Sequence, residues 1–151
     1  MKMLSATFIV SLLLASTGSL FAQTPAPPAP ILNPNTASQQ DLLALPNMTA
    51  AIAKTLVDRR PYKTMLEVNA QLSPLLSKEQ LSQLYARLFL PIDLNKATRD
   101  EILLVPGVGP RMAHEFEEYR PYTSIEQFRK EIGKYVSREE VARLERYVAL
   151  R

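Results

Sequence analysis

Displaced by 60 residues, the second half of this chain falls on the first without a gap. Asn35 meets Asn95, Ala37 meets Ala97, Leu43 meets Leu103, Pro46 meets Pro106 and Ala53 meets Ala113. Further on, Arg60-Pro61-Tyr62 meets Arg120-Pro121-Tyr122, Ser77 meets Ser137 and Leu84 meets Leu144. Most other pairs keep their polarity, as Ile52/Met112, Leu56/Phe116, Val68/Phe128 and Leu72/Ile132 do. A fixed period of this kind constrains architecture more than any local propensity does. Residues 32–91 read as one unit and 92–151 as its copy. Each is short for an independent domain, so the two are expected to pack together.

The residues before the repeat have a different character. Met1-Lys2 leads into an apolar run from Leu4 to Leu14, then Ser19-Leu20-Phe21-Ala22. A basic start, a short apolar stretch and a small residue before a polar one describe a secretory signal peptide over residues 1–22. The expected location is therefore periplasmic or secreted, with an uncleaved N-terminal membrane anchor as the alternative. No stable membrane span is expected after cleavage, since a comfortable span needs about 20 apolar residues. Residues 23–31 form a Pro/Ala-rich linker with Pro25, Pro27, Pro28 and Pro30, and are expected to be extended. Cysteine is absent, which excludes disulfides, thiolate metal sites and a lipid-modified N-terminal Cys.

Inside each unit the pattern is helical. Ser38 and Asp41, Thr64 and Glu67, Ser77 and Gln80, Thr98 and Glu101, Thr123 and Glu126, and Ser137 and Glu140 each place a hydroxyl three residues before an acid or amide. That spacing is the capping-box signature of a helix start. Apolar residues then recur at helical spacing: Ile125, Phe128 and Ile132 in one stripe, Val141, Leu144 and Val148 in another. Their copies are Met65, Val68 and Leu72, then Leu81, Leu84 and Leu88. No alternating strand pattern competes. The fold class is therefore all-α, with about four short helices per unit.

Between the first two helices of the second unit stands Pro106-Gly107-Val108-Gly109-Pro110. Glycine accepts positive φ, so a backbone can reverse tightly there. Pro110 suits the first position of the following helix. Such a turn has no bulk at its tip, and the N–H groups at the start of the next helix can face a phosphate. The first unit has Pro46-Asn47-Met48-Thr49-Ala50 instead. Asn47 tolerates positive φ, whereas β-branched Thr49 suits a left-handed position poorly, so this turn is expected to keep its folding role and lose close approach to a phosphate.

With Asn95-Lys96-Ala97-Thr98, the Pro-Gly-Val-Gly-Pro turn, Ala113, Tyr119-Arg120 and Thr123-Ser124-Ile125-Glu126, the chain resembles the helix-hairpin-helix family, and more closely its tandem, secreted, ComEA-like DNA-binding group. The resemblance implies two tandem helix-hairpin-helix units. It implies binding of double-stranded DNA through the phosphate backbone without sequence preference, as in DNA uptake during competence. It nominates Gly107, Val108 and Gly109, with Arg111 and His114 on the next helix and Lys96 and Arg99 nearby. It leaves room for a monovalent cation at the hairpin and otherwise implies no cofactor.

Charge complicates that expectation. The whole chain carries +3. Residues 32–91 hold six basic and four acidic side chains, while residues 92–151 hold eleven of each. DNA-binding domains ordinarily show a basic excess or stripe. Glu115 stands four residues after Arg111, a spacing that favours their pairing. Local clusters are expected to matter more: Lys96, Arg99 and Arg111 near the hairpin, and Lys54, Arg59, Arg60 and Lys63 on the first unit. The alternative function is an extracytoplasmic protein-interaction module whose partners are envelope proteins. His114 is the only histidine, which argues against a metal site and against a Ser/His/Asp set. The expectation is a protein that is not an enzyme.

Overall fold

The structure, a computed structural model, describes residues 28–151. The expected signal peptide and the first part of the Pro-rich linker lie outside them. The described residues form eight helices. Unit 1 carries α1 (Gln39–Leu43), α2 (Ala50–Asp58), α3 (Met65–Leu72) and α4 (Lys78–Tyr85). Unit 2 carries α5 (Arg99–Ile102), α6 (Pro110–Glu118), α7 (Ile125–Ile132) and α8 (Arg138–Glu145). The helices α2, α3 and α4 recur as α6, α7 and α8 at identical repeat positions. Within each unit the first two helices pack on each other, and α7 packs on α8.

Side-chain caps set the helix starts. Ser38, Ser77 and Thr98 form reciprocal capping boxes with Asp41, Gln80 and Glu101. Thr64 and Ser137 accept from the backbone N–H three residues on. One expected start moves: α7 is capped by Ser124, which accepts from Gln127 N at 3.1 Å, and not by Thr123. Ser124 is the repeat partner of Thr64, so the position of the cap follows the repeat.

The expectation of a strand-free fold is corrected in a small way. A parallel pair joins β1 (Ile92–Asp93) to β2 (Val148–Ala149). A single parallel bridge, Leu32 to Leu88, stands at the same repeat position in unit 1. Val148 and Leu88 therefore leave the helical stripes expected of them and lie just beyond α8 and α4, still buried. The entry and exit of each unit run side by side. Leu32 N donates to Arg87 O at 2.8 Å, and Ile92 N to Tyr147 O at 2.9 Å. Two-residue strands carry no periodic signal, because nothing alternates over so short a span.

The Arg-Pro-Tyr triplets lock the entry segment of each unit. Asn95 Nδ2 donates to Tyr122 O at 2.9 Å, and Tyr122 N donates to Asn95 Oδ1 at 2.7 Å. Arg120 donates to Leu94 O at 2.6 Å and to Ala97 O at 2.7 Å. Asn35, Tyr62 and Arg60 repeat the arrangement with Pro34 and Ala37. Both Arg-Pro peptide bonds are cis. Tyr62 and Tyr122 are buried below the turn.

One apolar core runs through both units, from Ala37 to Val148. Phe89, Phe116 and Phe128 are fully buried. Phe116 meets Phe128 edge-on at 5.2 Å. Between the units, Phe89 meets Tyr147 edge-on at 5.0 Å, and α3 packs on α5. Such pairs add about 0.5–1.5 kcal/mol beyond the burial of their area.

Candidate nucleic-acid interface

The turn from α5 to α6 begins with Gly107 at φ +82°. Asn47, its repeat partner, has φ +60°. Both turns thus use the left-handed region at the same place, and Asn47 fills it as the sequence leads one to expect. The second glycine position differs from its expectation. Gly109 has φ −98° and ψ 177°, and Thr49 has φ −114° and ψ 163°. This is ordinary extended backbone, so Thr49 sits there without strain.

The real difference between the turns is a cap. Thr49 Oγ1 accepts from Ile52 N at 3.2 Å and closes the start of α2 on itself. Gly109 has no side chain to do this, and α6 begins without a side-chain cap. Pro110 occupies the first helical position and has no N–H to offer. The N–H groups of Arg111 and Met112 therefore open outward at a helix N-terminus, where partial positive charge collects. Nothing lies within 4 Å of the place where a Cβ on Gly109 would stand, so the approach is open.

The nominated residues fall into two groups. Gly107, Gly109, Arg111 and His114 are all exposed on the hairpin or the first turns of α6. The expected pairing of Arg111 with Glu115 does not occur; among the described residues Arg111 takes part in no salt bridge. Val108 points inward: its side chain is buried, and its N–H donates to Val105 O at 3.0 Å. Arg99 fastens α5 to α6, with Nη1 2.6 Å from Glu117 Oε2 and Nη2 donating to Pro110 O at 2.9 Å. Lys96 stands 3.5 Å from Asp93 and is otherwise exposed. On unit 1, Lys54 pairs with Asp58 and Arg60 turns inward, which leaves Arg59 and Lys63 of the expected basic patch exposed.

Sequence reasoning missed one cation. A Cβ on Gly107 would stand 3.0 Å from Arg143 Nη2, so α8 lays a guanidinium against the hairpin. Arg143 pairs with Glu140 at 2.6 Å and lies over the Tyr147 ring. That pairing raises the Arg143 pKa and lowers that of Glu140. In unit 1 the same positions hold Asn47 and Gln83, and the Asn47 amide donates to Gln83 Oε1 at 3.1 Å. The joint exchange of Asn47/Gln83 for Gly107/Arg143 is visible in the repeat alignment and was the available signal.

Acidic and phenolic groups border the site. Gly109, Arg111, Met112, Glu115 and Tyr135 line a shallow hollow of about 250 Å³. Tyr135 and Tyr119 share a hydrogen bond at 2.8 Å. Hydrogen bonding to Tyr119, and then to Glu115, pushes the Tyr135 phenol well above its ordinary range, so it stays protonated. Among the described residues no cluster of three or more His, Cys, Asp or Glu is placed to hold a metal ion. Nor, among them, is any helix long and apolar enough to cross a membrane. Compared with family models, with curated proteins and with solved structures, the chain finds no match in any of the three.

Proposed function

We propose that this chain is a secreted or periplasmic protein that binds double-stranded DNA through its phosphates without sequence preference, with its repeat forming two tandem helix-hairpin-helix units. The observation that carries this reading is the uncapped N-terminus of α6 behind the Gly107–Gly109 turn, set beside the self-capped N-terminus of α2. A phosphate oxygen at α6 takes the place that Thr49 Oγ1 holds at α2. Arg111 is exposed beside it and takes part in no ion pair among the described residues, and the Arg143 guanidinium lies against the turn. With few phosphates engaged, binding is weak and strongly dependent on salt. A role in DNA uptake fits the expected signal peptide and tether.

The decisive variant is Gly109→Thr, which gives α6 the cap of α2. The φ of −98° and the open space accept it without strain. Charge-assisted hydrogen bonds contribute about 1.5–3 kcal/mol, so DNA affinity is expected to fall roughly tenfold or more while the fold stays intact. Fluorescence-anisotropy titration on labelled duplex, at low and at physiological salt, reads this. Unchanged affinity would end the reading.

A second reading, a protein-interaction module for envelope partners, draws on Glu115 beside Arg111 and on the balanced charge of residues 92–151. Under it, pull-down from envelope extract returns a stoichiometric protein that survives nuclease treatment.

A further inference from the structure

The repeat that relates the two units also relates their grooves. Between α7 and α8 lies an open groove of about 690 Å³, with Arg129, Gly133, Val136, Arg138, Ala142 and Glu145 on its walls. The same repeat positions of unit 1, among them Asn69, Leu76, Lys78 and Ser82, line a groove of about 490 Å³ between α3 and α4. A bridge joins the paired helices across both grooves: Tyr85 to Asn69 at 2.7 Å in unit 1, and Arg129 to Glu145 at 2.6 Å in unit 2.

The unit 1 groove has a further wall that the unit 2 groove lacks. Residues Leu103 to Val108 of unit 2, from the end of α5 through the turn, lie along it. Their repeat copies, Leu43 to Met48, have no such seat within the described residues, and their burial shows it. Leu104 and Pro106 are half-buried and Val108 is buried, whereas Ala44 and Pro46 are exposed and Met48 is only half-buried. Leu43 is 44% exposed, against 36% for its copy Leu103. Among the described residues there is thus one groove without its plug at one end and one plug without its groove at the other.

Charge favours bringing them together. Lys130 and Arg138 at the unit 2 groove take part in no salt bridge among the described residues. The helix α1 carries Asp41 and no basic residue.

We propose that the α7–α8 groove receives the Leu43–Met48 segment of a second copy of this chain, head to tail, as unit 1 receives unit 2 within the molecule. Such a contact is heterologous and leaves a free groove and a free segment at the ends of every assembly. Growth is then open-ended, with repeat following repeat as in a solenoid. The contact is small, so association is reversible and rises with concentration.

Sedimentation velocity over a concentration series, on protein purified from cells expressing the full chain, tests this. The mass is expected to climb past the dimer. Leu43→Glu and Ala142→Glu each change an exposed residue, and each variant alone is expected to remain monomeric with unchanged far-UV circular dichroism. Mixed in equal amounts they are expected to form a dimer and nothing larger, because one retains the groove and the other the segment. If Ala142→Glu loses helical signal, Arg138→Glu at the groove rim replaces it, and if Leu43→Glu does, exposed Ala44→Glu in the segment replaces it, with the same monomeric outcome expected. A wild type that stays monomeric throughout, a variant that still associates, or a mixture that stays monomeric overturns the proposal.

Discussion

At the scale of single residues, the fold depends on polar side chains that close backbone groups on themselves. Arg120 is the clearest case, since its guanidinium serves two partly buried carbonyls at once, those of Leu94 and Ala97. Removing a partner from a buried polar group costs about 1–3 kcal/mol. Arg120→Ala is therefore expected to lower unfolding free energy by about 2–4 kcal/mol in urea titration. Arg120→Lys recovers only part of this, because an ammonium lacks the planar fork that reaches both carbonyls. Gly107 makes a different demand. At φ +82°, Gly107→Ala is strained in its backbone, and the Arg143 guanidinium 3.0 Å from the site of a Cβ must shift aside. It is expected to cost about 1 kcal/mol or more, whereas Asn47→Gly is expected to be nearly neutral. Much of this was legible in the sequence. The repeat pairs Asn35 with Asn95 and one Arg-Pro-Tyr triplet with the other, though spacing alone gives no sign that the asparagine and the triplet bond each other. The backbone of Thr49 was not legible, since a Gly-x-Gly pattern gives no sign which glycine carries the positive φ.

At the scale of elements, length decides what a sequence can announce. The capping residues foretold most helix starts because every start but that of α6 uses a hydroxyl at fixed spacing. The start of α7 slipped by one because Thr123 and Ser124 are adjacent hydroxyls, each followed at the right distance by Glu126 or Gln127. The strands β1 and β2 were invisible because closure of the units places them, not any local preference. The four residues of α5 form a single turn, too short to persist alone, and its capping box matters in proportion. Thr98→Ala is expected to cost about 1 kcal/mol by thermal or urea unfolding. Between α7 and α8, Arg129 holds the Glu145 carboxyl below the ordinary glutamate value of 4.5. A folded-state pKa that is lowered adds stability above the ordinary value, and this is lost as pH falls through the lowered one. Glu145→Gln is therefore expected to melt below the parent near neutral pH. Thermal melts from pH 7 to pH 3 should show the two curves converging only at the acid end, below the ordinary glutamate range.

At the scale of the whole molecule, the two units differ less in fold than in which groups each leaves available. Net charge across the copies, +2 against zero, points away from the unit that has the glycine turn. Under the proposed DNA-binding reading an open helix terminus and an unpaired cation outweigh that balance, since net charge registers neither a helix dipole nor which charges are paired. If the Thr49 cap is what silences the first turn, then opening that turn should create a second phosphate site on a fold already built to hold one. Thr49→Gly together with Ala50→Pro copies the α6 start onto α2, where Thr49 now caps Ile52. Loss of that cap costs only a few tenths of a kcal/mol when glycine replaces threonine, so the protein is expected to stay folded. Each added phosphate contact steepens the dependence of log K on log salt by about 0.9 on duplex DNA. The double variant is therefore expected to bind duplex more tightly at low salt, with a slope steeper by about one. Gly109→Thr in the same chain should then remove the original site and leave the new one. Anisotropy titrations at four or more salt concentrations measure both slopes. Equal slopes in parent and double variant would show that the cap on α2 does not separate the two turns, and that the asymmetry lies in the cations Arg111 and Arg143, whose repeat partners are Ala51 and Gln83.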